Sequence, residues 1–324
     1  MRGFVDLQVN GFRGVDFAAP DLEEDAVVAA VRGLIADGTA VLLPTLVTST
    51  LEVYARNLPI LARVCSGPEF APHVPGFHLE GPFLSGRSGY AGAHDPDRMR
   101  AGDPALLDRL QRQAGGMIRM LTVAPEIEGA PALIRHARSL GITVSLGHSA
   151  GEECHFDTAV AAGATALTHL GNGLPHLVDR HRNPLLCGLA DDRLSACVIG
   201  DGHHLPWSLL HVILRVKGGG RSILVSDASP LAGLPPGRYT CFGGPAVIHP
   251  DGRLCNPDTG FLAGSSMTIR QVVNATRTAL GLGDAQLHAM AVVNPLRLIG
   301  HGMADGIATL PRGVDGSWLA AAVP

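Results

Sequence analysis

Eight short apolar runs, separated by turn signals and helix-spaced stretches, constrain this chain more than any other feature of its sequence. They fall at residues 4–11, 40–46, 75–80, 117–124, 142–148, 164–169, 194–199 and 222–227. Between or after them, Ala, Val and Leu recur at helical spacing over 21–37, 51–64, 130–140, 206–216 and 266–280. An α/β chain that alternates in this way eight times has the order that closes a (β/α)8 barrel, and 324 residues is ample for one barrel with insertions. An open doubly wound parallel sheet is the competing arrangement. Residues 231–259 break the rhythm with Gly, Pro and short β-like pieces. A β-hairpin excursion is expected there, within a single barrel domain spanning 1–324.

Four of the runs end on, or next to, a titratable side chain: Glu80, His148, His169 and Asp227. Loop-borne chemistry in a parallel barrel sits at the C-terminal rim of the strands, so these four should converge. Two imidazoles and one carboxylate form a borderline-soft donor set with an open position, suited to one Zn²⁺ and tolerant of Fe²⁺, Mn²⁺ or Co²⁺. The other carboxylate is then free to take a proton from water and return it to a leaving group. Spacing does not decide between Glu80 and Asp227 for the two tasks. One strand-end acid alone is as readily a helix N-cap, but four such residues at matched positions have no comparable explanation. A barrel aldolase or isomerase would want a lysine at a strand end, and the only lysine, Lys217, closes a helical stretch.

Charge narrows the partners. A net charge of -4, with acidic and basic residues mixed along the chain, gives no general attraction for nucleic acid or an anionic membrane. No apolar run approaches the roughly 18 residues a membrane span needs, and no signal peptide precedes Phe4. Cys65, Cys154, Cys187, Cys197, Cys241 and Cys255 are scattered without a CxxC pair, as expected for reduced thiols in a cytoplasmic protein.

Several ordered motifs carry a resemblance. His78-Leu79-Glu80-Gly81-Pro82-Phe83, Gly92-Ala93-His94, Leu121-Thr122-Val123-Ala124-Pro125-Glu126 and Gly147-His148-Ser149 come first. Thr168-His169-Leu170-Gly171-Asn172, Asp201-Gly202-His203-His204, Ser226-Asp227-Ala228 and Leu262-Ala263-Gly264-Ser265 follow. In this order they resemble the N-acetylglucosamine-6-phosphate deacetylases, metal-dependent TIM-type barrels of the amidohydrolase superfamily. The resemblance implies hydrolysis of an N-acetyl amino-sugar phosphate, with Glu80, His148 and His169 on the metal and Asp227 as base and then acid. It further implies that His94 polarises the scissile carbonyl and that His204 meets the sugar phosphate. Ala93, Asn172, Gly173, Leu262, Ala263 and Gly264 would line the substrate. A small-molecule amino sugar is the implied ligand, and the family leaves room for a homodimer.

Relatives of this kind often carry His-x-His on the first strand for a second ion, where Gln8 and Asn10 stand here, so one metal is expected. An arginine before a proline grips phosphate in the family; a gap-free count from His169 selects Arg180, with Arg182 as the alternative. The family's small β-sandwich is expected to be reduced or absent, since residues 307–324 are short and irregular.

Overall fold

A computed structural model describes residues 2–302 and 310–320. Eight strands run in parallel: β1 (Phe4–Val9), β2 (Thr39–Val47), β3 (Phe77–Glu80), β4 (Ile118–Val123), β5 (Thr143–Leu146), β6 (Ala166–Leu167), β7 (Ser195–Ile199) and β8 (Ser222–Val225). Their order in the sheet is their order in the chain, as successive right-handed crossovers produce. The crossovers are α1 (Glu24–Asp37), α2 (Leu51–Cys65), α3 (Pro104–Gln113), α4 (Ala130–Ser139), α5 (Glu153–Ala162), α6 (Pro184–Ala190) and α7 (Trp207–Lys217), with α8 (Ile269–Leu280) following the last strand. The sheet is a nearly closed barrel, the architecture expected from the alternating runs, and not an open doubly wound sheet.

The strands are buried on both faces, one against the helices and one inside the barrel, which is why β2 reads as an almost unbroken apolar run. Local signals set the helix limits. Gly38, at φ 109°, ends α1 in the left-handed conformation that only glycine takes cheaply, and its N–H caps the carbonyls of Leu34 and Ile35. Thr268 and Gln271 form a capping box that starts α8 at Ile269, three residues after the first predicted position.

Three of the four strands that lead to site residues stop short of their apolar runs. β5 stops at Leu146, β6 at Leu167 and β8 at Val225, although the runs continue to His148, His169 and Asp227. The backbone leaves the ladder there because all three residues take positive φ, which an extended strand does not accommodate.

After β8 comes a three-stranded antiparallel sheet, β9 (Gly237–Cys241), β10 (Gly244–Ile248) and β11 (Leu254–Cys255). Leu231, Cys241, Ala246, Ile248, Leu254 and Ala263 form its own small apolar cluster. Of the tail expected to be irregular, residues 307–309 and 321–324 lie outside the described residues. In the described part Trp318 packs edge-on to Phe4 at 5.3 Å between ring centres, and Arg312 lies 3.6 Å over the Trp318 ring. All six cysteines are free thiols. Among the described residues no helix is long and apolar enough to cross a membrane.

Candidate active site

Four strand ends meet at one rim of the barrel. Glu80 is the last residue of β3, while His148, His169 and Asp227 each stand two residues beyond β5, β6 and β8. All four are buried. Among the described residues five non-glycine side chains sit on positive φ, and three of them are His148 (46°), His169 (29°) and Asp227 (49°). Such a conformation costs of order 1 kcal/mol or more and persists only where the surroundings enforce it, so its concentration at one point marks a site and not three loose turns. The turn at each strand end swings the side chain over the barrel mouth.

Glu80, His148 and His169 offer ligand atoms that all lie within 4.8 Å of one another, the only such group among the described residues. Glu80 Oε1 stands 2.8 Å from His169 Nε2 and 3.3 Å from His148 Nε2, and the two ring nitrogens are 3.0 Å apart. His148 Nδ1 lies 2.9 Å from the Tyr90 carbonyl, which can only accept, so Nδ1 carries the proton and Nε2 presents a lone pair to the cluster. Burial opposes ionisation of Glu80, but the adjoining imidazoles of His148 and His169 outweigh it and hold the carboxyl well below its usual range. Burial likewise opposes charge on His169, and there the hydrogen bond and charge of Glu80 turn the net shift upward. Without a cation this packing needs a proton shared between acid and base. Two lone-pair nitrogens and an anionic oxygen at mutual contact are equally the donor set of a divalent ion, so the residues fit a metal.

Asp227 faces this cluster. Burial, and then the charge of Glu80, push its carboxyl up to about 6, against the pull of His169 and His204. Asn10 Nδ2 donates to its Oδ1 at 2.8 Å, and Gln8 Nε2 donates to Glu80 Oε1 at 2.9 Å. The two first-strand amides thus each serve a carboxylate.

His94 stacks edge-on against His148, 4.4 Å between ring centres. Its Nδ1 accepts from the Thr48 backbone N–H at 3.3 Å, which forces the ring proton onto Nε2. Burial and the neighbouring His148 depress its basicity to about 3. A neutral imidazole with Nε2–H is a hydrogen-bond donor, the form a carbonyl oxygen needs. His204 is held from behind: Asp201 Oδ2 lies 2.7 Å from its Nδ1, and Asp201 Oδ1 accepts the backbone N–H groups of His203 and His204. Despite its burial Asp201 stays ionised, its carboxyl brought down to about 2 chiefly by His204. Nothing in the spacing alone singled out Asp201; the signal was an acid three residues before a site histidine.

Asn172 hooks back on His169, its backbone and side-chain N–H groups both donating to the His169 carbonyl. The turn at Leu262, Ala263 and Gly264 lies against Asp227: Ser265 N–H donates to the Asp227 carbonyl at 2.8 Å, and a Cβ on Gly264 would stand 3.0 Å from that oxygen. Ala93 is exposed in the loop that carries His94. Arg180 and Arg182 are both exposed in the loop before α6, and neither forms an ion pair among the described residues. The structure therefore brings Glu80, His94, His148, His169 and Asp227 together and leaves the two arginines at the periphery.

Gly173 packs directly against the His148 ring. A Cβ there would stand 2.9 Å from His148 Nδ1, and φ is +65°. Gly173→Ala should displace the His148 ring and weaken divalent metal binding on the order of tenfold or more. Competition titration against a chelating dye checks this, and unchanged affinity would show that the ring tolerates the methyl group.

No family model matches the chain. The chain is 35% identical over 332 residues to the N-acetylglucosamine-6-phosphate deacetylase of Bos taurus, covering 98% of this chain and 78% of the relative. It is 33% identical over 307 residues to the N-acetylgalactosamine-6-phosphate deacetylase of Escherichia coli O157:H7, covering 94% and 78%. Among solved structures, an Asp-to-Ala mutant of the Mycobacterium smegmatis N-acetyl-D-glucosamine-6-phosphate deacetylase, in complex with N-acetyl-D-glucosamine-6-phosphate, superposes with a TM-score of 0.84. That match is 30% identical and covers 99% of this chain and 80% of the other.

Proposed function

This chain belongs to the N-acetylglucosamine-6-phosphate deacetylase family, and from that premise we propose that it hydrolyses N-acetylglucosamine 6-phosphate to glucosamine 6-phosphate and acetate. The observation that carries the reading is the buried contact of Glu80, His148 and His169 beside Asp227. Those three residues would hold one divalent ion, and two imidazoles with one carboxylate favour zinc. Such an ion supplies Lewis acidity, stabilising charge on the amide oxygen and making water more acidic.

The remaining steps belong to the chain's own side chains. Asp227 takes a proton from the attacking water as the C–O bond forms, and gives it to the amide nitrogen as the C–N bond breaks. Burial makes that carboxylate more basic, which favours its taking the proton. His94 Nε2–H donates to the carbonyl oxygen, where negative charge develops. His204, fixed by Asp201, and Arg180 meet the phosphate. Ala93, Asn172, Gly173 and the turn at Leu262, Ala263 and Gly264 form the wall around the sugar. Free thiols throughout support a cytoplasmic setting.

Loss of the phosphate removes charge-assisted hydrogen bonds of about 1.5–3 kcal/mol each, so kcat/KM on N-acetylglucosamine should fall on the order of 100-fold or more relative to the 6-phosphate. Steady-state rates on both sugars test this. Equal rates would move the reading to an unphosphorylated acylamino substrate. The 33% identity to an N-acetylgalactosamine-6-phosphate deacetylase supports a second reading in which the C4 epimer is a substrate, so N-acetylgalactosamine 6-phosphate belongs in the same comparison.

A further inference from the structure

Between neighbouring strands the barrel is held by backbone pairing, with β1 against β2 and each strand against the next as far as β7 and β8. The seam between β8 and β1 is different. A single bridge joins Val9 to Ala228, and beyond it the two strands are tied through side chains. Asp6 and Gln8 interrupt the apolar residues of β1, Asn10 directly follows its end, and all three are buried, with Asp6 1% exposed. A carboxylate there needs hydrogen-bond donors, and across the seam it finds two at one residue: Asp6 Oδ1 accepts the Ser226 backbone N–H at 3.0 Å, beside a longer 3.4 Å bond from its own strand's Gln8 N–H, and Asp6 Oδ2 accepts the Ser226 hydroxyl.

Ser226 immediately precedes Asp227. Its Oγ in turn accepts the Ala228 N–H at 3.0 Å, and Asn10 N–H donates to the Ala228 carbonyl at 2.7 Å. Asn10 Nδ2 holds the Asp227 carboxylate itself. The residue before Asp227, the residue after it and its own side chain are therefore all gripped from β1, while its φ of 49° is one that the chain does not hold unaided.

We propose that Asp6 is a positioning residue for the reaction: acting through Ser226 across the seam, it fixes the orientation of the Asp227 carboxylate. The inference rests on Asp227 as the proton-transfer group. The Asp6 carboxylate bonds to Ser226 and not to Asp227 itself; it supplies the lateral restraint that ladder pairing gives elsewhere. A displacement of about 1 Å at a reacting group costs on the order of 100-fold in rate, which sets the size of the effect.

Four variants of the full-length, metal-loaded protein test it, with kcat, KM, metal per chain and Tm measured for each. Asp6→Ala should lower kcat about 100-fold with KM within roughly threefold and metal content unchanged. Asp6→Asn should recover most of the loss, because a carboxamide still accepts from the Ser226 N–H and can donate to its hydroxyl. Ser226→Ala keeps the backbone link and should lose on the order of tenfold in kcat. A merely structural Asp6 would lower Tm and leave kcat per folded, loaded chain alone; wild-type kcat in Asp6→Ala and Ser226→Ala overturns the proposal. If Asp6→Ala does not fold, Ser226→Ala decides between the same two outcomes. Asp227→Asn separates the premise: full activity there removes both readings, whereas an inactive Asp227→Asn beside a fully active Asp6→Ala removes this inference alone.

Discussion

Asp227→Asn should leave one divalent ion bound per chain and lower kcat on the order of 10³- to 10⁴-fold, with KM changed little. The carboxamide has nearly the volume of the carboxylate, and its oxygen still accepts from Asn10 Nδ2, which stands 2.8 Å from Oδ1. The backbone bond from Ser265 N–H to the Asp227 carbonyl is untouched. What disappears is a basic oxygen that can take a proton and return it. General acid–base catalysis is worth about 10²- to 10⁴-fold, and one group serving both the attack and the departure falls at the upper end. No nearby group substitutes. Glu80 is held ionised, well below its usual range, by His148 and His169, while burial leaves His94 neutral with its ring proton fixed outward by Thr48. Metal analysis beside steady-state kinetics reads the result. A kcat within tenfold of wild type would assign the proton transfer to another side chain.

The four strand-end residues were legible in the sequence because a polar residue closing an apolar run is visible without knowing where the run lies. Eight runs gave the barrel, and the barrel gave their convergence. What supports them was not legible, because support travels between residues distant in the chain. Asp6 lies 220 residues from Ser226, and in the sequence it is one acid in a short first strand. In the sequence its neighbours Gln8 and Asn10 read only as replacements for metal ligands. Asn10 reaches Asp227 across the seam, which only the closed sheet creates, and Gln8 reaches Glu80 two strands away in the other direction. Strand ends were overextended for a related reason: hydrophobicity continues through Ser145, Leu146 and Gly147 to His148, while the ladder ends where φ turns positive. The arginines before α6 are the opposite case. The sequence offered Arg180 and Arg182, and both sit exposed on a loop whose nearest order is Asp179 accepting from the His181 and Arg182 N–H groups.

Stripping the protein with a chelator should reduce activity more than about 10³-fold, and added Zn²⁺ or Co²⁺ should restore it. Glu80→Gln then distinguishes a metal ligand from a fold residue by the sign of its effects. In cation-free wild type, Glu80 Oε1 forms a buried pair with His169 Nε2 at 2.8 Å and also takes the Gln8 amide at 2.9 Å. Replacing the carboxylate lets His169 become neutral as well, so a buried ion pair gives way to a neutral one, an exchange that is commonly near zero in free energy. Cation-free Tm should therefore stay within about 3 °C of wild type. Metal changes the comparison. At a thousandfold excess over Kd a bound ion stabilises the native state by about 4 kcal/mol, and Glu80→Gln should lose most of that gain along with activity. A variant that keeps the full metal-induced rise in Tm would show that Glu80 is not a ligand. One that is severely destabilised without metal would show that the charge of Glu80 is needed by the fold.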